Sequence, residues 1–232
     1  MATLNPAITI DGGDSGGGEP QGSLDFRGRL RRARLGLAVA LTPIVMLFVS
    51  FTSAYIVRQG LPSLDESTGT YARDWTALNL PLAILLINTV LLALSSLTME
   101  FARRQMARRA VLDPVRSIPG VSVGSDHTFP WLGITTALGF GFLGGQWLAW
   151  RELAARGFFV ATSPSSSFFY LLTATHATHL LGGLLVLIWA VVMAVRHLEL
   201  ERRYIVVDVA SWYWHFMALL WIYIFALLLI AK

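Results

Sequence analysis

Five long apolar runs alternate with segments rich in charge, glycine or proline. They cover about residues 35–57, 78–98, 130–150, 167–195 and 212–230. A helix rising ~1.5 Å per residue crosses a ~30 Å hydrocarbon core in about 20 residues, so each run predicts one transmembrane helix. The fourth run is long enough to reach roughly 42 Å. The predicted fold class is therefore all-α, an integral membrane bundle of five transmembrane helices.

The polar positions inside the runs carry the detail. Pro43 falls within the first run and predicts a kink, and Pro81 falls in the first turn of the second, where a missing donor does no harm. Asn88 and Ser95 are seven apart, with Ser96 beside them, which predicts a face that meets another helix. Gly141 and Gly145 in the third run form a small-xxx-small pair, near Gln146. His176 and His179 lie one helical turn apart in the fourth run. The fifth opens with Trp212, Tyr213, Trp214 and His215, and Trp221 follows Trp214 by seven. Trp212 and Tyr213 are read as an interfacial belt, and Trp221 as buried against a partner or a lipid chain.

Between the runs, residues 1–23 are Gly-, Asp- and Ser-rich and predict a disordered tail, with neither the n-region nor the h-region of a signal peptide. A basic cluster of Arg27, Arg29, Arg31, Arg32 and Arg34 follows, so that 1–34 forms a tail and 35–232 the membrane domain. The stretch 110–129 reads as a loop and 196–211 as a polar connector; Tyr71 and Trp75 read as interfacial anchors. Five crossings place the termini on opposite sides. Thirteen of the 18 Lys and Arg residues fall on the side of the N-terminus, which predicts that end inside and the C-terminus outside.

Composition agrees with a membrane protein: 55% of the 232 residues are hydrophobic and 14% charged, against about 25% charged in soluble domains. The net charge of +4 is explained by arginines flanking the runs and does not call for nucleic acid. With no cysteine, the chain has no disulfide, iron–sulfur or thiolate-copper site of its own.

A metal or haem site would draw on His176, His179 and His215. The runs supply no carboxylate or cysteine to complete one. Counting residues from the run ends puts His179 and His215 at depths differing by ~8 Å or more. These histidines are therefore read as structural, bonded to neighbouring helices. The runs hold no Asp, Glu, Lys or Arg for a proton or ion path; Glu100 and Glu152 stand at their ends, within reach of water.

Several stretches are also familiar. YWHFMALLWIYIF (Tyr213 to Phe225) resembles the terminal signature of subunit III of haem–copper terminal oxidases. FFYLLTATHATHLLGG (Phe168 to Gly183) resembles that family's paired-histidine helix, with His176, His179 and Gly183 in matching places. WTALNLPLAILLINTVLLALSS (Trp75 to Ser96), Gln146 with Trp150, and SAYIVR (Ser53 to Arg58) are similar to its bacterial members. Five runs resemble the shorter bacterial form of that subunit, subunit III of the cytochrome c oxidase family.

The resemblance implies a non-catalytic subunit in the bacterial inner membrane, without haem or copper of its own. It implies a hetero-oligomer with the catalytic subunit I, which bears haem and copper, and with subunits II and IV. Bound phospholipid is also implied. His176, His179, Gly183, Trp214, His215, Trp221, Asn88 and Gln146 become residues of structure, lipid or subunit contact. Ile44 and Ala218 stand where family members often carry carboxylates, so a proton-delivering role is not carried over. Alternatives are a quinol oxidase subunit, an accessory protein of nitric oxide reductase, a small transporter and a haem-binding membrane enzyme.

Overall fold

The structure is a computed structural model that describes residues 21–65, 70–72, 75, 80–116, 130–196 and 200–230. The tail before residue 21 and the loop over 117–129 lie outside these residues. Within them the chain forms five helices: α1 (Gln21–Gly60), α2 (Leu82–Arg116), α3 (Trp131–Ala155), α4 (Pro164–Val195) and α5 (Leu200–Ile230). A small exception to the all-helical expectation joins α1 to α2. There β1 (Ser63–Asp65) pairs antiparallel with β2 (Thr70–Ala72), Leu64 opposite Tyr71.

Four helices are long and apolar enough to cross a membrane, over Phe26–Gly60, Leu82–Ala110, Pro164–Val195 and Arg202–Ile230. The remaining helix, α3, is diluted by five glycines, two threonines and Gln146 within its apolar run. Its 25 residues still give it a length of about 37 Å.

Helix ends are where sequence and structure part. The basic cluster before residue 35 is already helical, α2 runs on to Arg116, and α5 begins at Leu200 inside the predicted connector. All three extensions lie at the same end of the bundle. Arg34, Glu100, Arg103 and Asp208 pair along and between these helices just past the apolar runs. At the opposite end the chain turns sharply: Gly157 has φ 86°, a left-handed value that favours glycine. Ser163 then caps α4: its hydroxyl accepts from Ser166 N–H, its own N–H bonds to Ser166 Oγ, and Pro164 fills the first turn. Such a cap contributes about 1 kcal/mol.

Helices α2, α3, α4 and α5 close a ring in that order, each antiparallel to the next, and α5 packs back on α2. α1 leans on the outside against α5 and α4. It runs parallel to α5: Arg34 meets Asp208 and Thr52 meets Tyr223. The core between the ring helices holds Phe142, Phe169, Leu180, Leu184, Trp214 and Trp221.

Close approach depends on two glycines the sequence did not single out as a pair. A Cβ on Gly145 would sit 1.9 Å from Asn88 Oδ1, and one on Gly139 would sit 2.9 Å from the Trp214 ring. Gly141, the expected partner of Gly145, is exposed and meets only Leu91 at 3.9 Å.

Candidate functional site

Several polar groups inside the bundle join one helix to another. On α2, Ser95 Oγ donates to the Thr135 carbonyl of α3 at 3.1 Å and accepts from Trp214 Nε1 of α5 at 3.0 Å. Trp221 Nε1 donates to Thr89 Oγ1 at 3.0 Å, and Trp150 Nε1 to Thr173 Oγ1 at 3.1 Å. Tyr213 donates from its hydroxyl to the His179 carbonyl at 2.8 Å, while its ring fills the space left by Gly183. Tyr213 is thus a helix-to-helix contact rather than part of an interfacial belt. Trp212, by contrast, is 55% exposed. Trp75 of the α1–α2 connector meets Tyr55 edge-on at 5.1 Å.

The three histidines have three different environments. His176 is fully buried, 5.3 Å from the Trp221 ring and 5.9 Å from Phe142. Among the described residues neither of its nitrogens has a hydrogen-bond partner, so it is held by ring contacts and not by the bonds expected. His179 bonds through Nδ1 to the Thr175 carbonyl of its own helix at 2.8 Å and meets Phe48 of α1. His215 lies between hydroxyls, Nδ1 at 2.5 Å from Ser96 Oγ and Nε2 at 3.2 Å from Ser211 Oγ. Among the described residues no three His, Cys, Asp or Glu side chains come together as metal ligands would. Asn88 and Gln146 are buried and, like His176, have side-chain atoms without partners. Trp214 and Trp221 are both within the core; at 1% exposed, Trp221 offers no surface to lipid.

The strongest electrostatic feature was not singled out in the sequence. Asp208, assigned there to a connector, is fully buried on α5. Arg34 of α1 clasps it with two bonds, Nε to Oδ2 at 2.8 Å and Nη2 to Oδ1 at 2.9 Å. Arg103 of α2 approaches Oδ1 at 3.6 Å. Arg103 also donates twice to Glu100, at 2.8 Å each, and Arg104 once at 2.7 Å. Glu100 in turn stands 3.6 Å from His215 Nε2. One network thereby ties α1, α2 and α5 just beyond the apolar run that ends at Thr98. Spacing carried a signal: Asp208, Ser211 and His215 recur at i, i+3 and i+7. Arg34 lies 174 residues from Asp208, and no local pattern reveals that pairing.

This arrangement can hold helices in register.

Comparisons with known proteins agree with this picture. A family model described as "Cytochrome c oxidase subunit III" matches residues 29–231. The chain is similar to "Cytochrome c oxidase subunit 3" of Bacillus subtilis (strain 168), 31% identical over 195 residues, 82% of this chain and 82% of that protein. It is 26% identical over 192 residues to "Probable cytochrome c oxidase subunit 3" of Nocardia farcinica, covering 83% of this chain and 84% of that protein. A shorter match, 37% identical over 98 residues, relates it to "Cytochrome c oxidase subunit 3" of Bacillus sp. (strain PS3), where it spans 46% of that protein.

Proposed function

From the premise that the chain belongs to the cytochrome c oxidase subunit III family, and so is a subunit III of a haem–copper oxidase, we propose how it serves that complex. It crosses the bacterial cytoplasmic membrane five times, with α3 as the fifth span, N-terminus inside and C-terminus outside. It packs on the catalytic subunit I alongside subunits II and IV, stabilises that assembly, and holds phospholipid. The haem and copper that pass electrons from cytochrome c to O2 belong to the partner subunits. His176, His179, Gly183, Trp214, His215, Trp221, Asn88 and Gln146 act in helix packing.

The observation that carries this reading is the apolar exterior that every helix keeps. Val39 and Met46 on α1 are 73% and 66% exposed, and Leu185 on α4 and Leu219 on α5 are as open. Such a surface suits lipid and a larger apolar partner. The antiparallel order of α2, α3, α4 and α5 supports α3 as a span, because its neighbours on both sides are long enough to cross. The parallel pairing of α1 with α5 is what an odd number of crossings produces.

Purification in mild detergent tests the reading. The chain is expected to come down in a fixed ratio with a larger haem-bearing subunit, and by itself to show no Soret band. A stable lone chain carrying haem would sink the proposal.

A further inference from the structure

Between α2, α3, α4 and α5, at the end of the bundle where Asp208 lies, is a cavity of about 320 Å³. Its walls are apolar, formed by Met106, Trp131, Leu132 and Val191 among others, and two guanidinium groups, Arg109 and Arg203, line it. None of its lining residues is acidic. The Arg203 Nε is buried and has no hydrogen-bond partner among the described residues. A guanidinium with an unbonded Nε at an apolar cavity calls for an anion, and Arg109 adds positive charge to the same wall.

Depth narrows the choice. Met106 and Arg109 lie two to three turns beyond Thr98, where the apolar run of α2 stops, whereas Val191 still belongs to the apolar run of α4. The cavity therefore straddles the boundary between hydrocarbon and headgroups, with its cations on the polar side. A ligand that fits is apolar at one end and bears a compact, multiply accepting anion at the other. Guanidinium groups meet phosphate oxygens well, and basic pockets between membrane helices suit anionic headgroups.

We propose that this cavity is a binding site for an anionic glycerophospholipid, its phosphate held by Arg109 and Arg203 and the start of its acyl chains lying along Val191 and Met106. The inference rests on the lipid-holding part of the proposed function and gives it a place, a headgroup charge and two named residues. A phosphate there gives Arg203 an acceptor and fills a gap among four helices, so the lipid becomes a wedge of the fold.

Native mass spectrometry of the purified oxidase complex tests this. Wild-type complex is expected to retain anionic phospholipid that Arg109→Gln/Arg203→Gln complex loses, with zwitterionic lipid unchanged. Arg203→Lys should retain it in part. Val191→Trp, which plugs the cavity and leaves both charges, should lose it as well and serves where the double variant does not assemble. Delipidated wild-type complex titrated with phosphatidylglycerol should bind about tenfold more tightly than either losing variant. Anionic lipid retained equally by both variants would overturn the site while leaving lipid binding elsewhere intact. A wild-type complex that retains no phospholipid of any kind would overturn the lipid-holding reading itself. Inorganic phosphate competing as well as phosphatidylglycerol would replace the lipid by a free anion, and a partner-subunit carboxylate seated on Arg203 would overturn the proposal too.

Discussion

Asp208 and His176 show two ways a polar side chain survives in an apolar bundle. Asp208 is fully buried and paid in full by guanidinium bonds. Arg34→Ala leaves it Arg103 alone and is expected to cost roughly 1–3 kcal/mol in thermal or denaturant unfolding of the complex. Arg104→Ala, at an exposed position, should stay within about 0.5 kcal/mol. His176 presents the opposite case, a ring whose shape is used and whose nitrogens are not. His176→Phe is expected within about 1 kcal/mol of wild type, and His176→Ala to lose about 3–5 kcal/mol by opening a cavity. Equal damage from both would mean that the imidazole nitrogens matter. That His176 would be enclosed was legible in its apolar run; that it would go unbonded was not, because nothing local says which neighbours face it.

At the scale of elements, the apolar runs located all five helices but not their ends. Residues 200–211 read as a connector because Arg202, Arg203 and Asp208 are charged, yet pairing with α1 and α2 lets the helix continue through them. Periodicity past the apolar run was the available sign, and composition outweighed it. Close contact between α2 and α3 makes a sharp test of packing. Gly145→Ala drives a methyl into Asn88 and should cost roughly 1–3 kcal/mol, much of it recovered in the double variant with Asn88→Ala. Gly144→Ala, with nothing within 4 Å, should be neutral or stabilising by up to about 1 kcal/mol. If Gly144 and Gly145 responded alike, the close approach would not be as described.

For the whole molecule, the ring of four helices with α1 outside could not be read from one sequence. The runs give crossings and a charge bias, whereas the neighbour of each helix depends on glycine gaps and hydroxyl bonds between distant positions. Orientation is open to direct measurement because the chain has no cysteine. In spheroplasts, Ala161→Cys between α3 and α4 should react with an impermeant maleimide, and Arg108→Cys on α2 only after lysis. The reverse pattern would invert the proposed topology.

The clasp between Arg34 and Asp208 also sets a timetable. The first helix emerges from the ribosome 174 residues before its partner, a wait of roughly 10–35 s at ordinary rates of translation. Throughout that interval its arginine must face headgroups and its apolar flank must rest in lipid or against a chaperone. Nascent chains stopped short of α5 should accordingly be the ones that quality-control proteases remove.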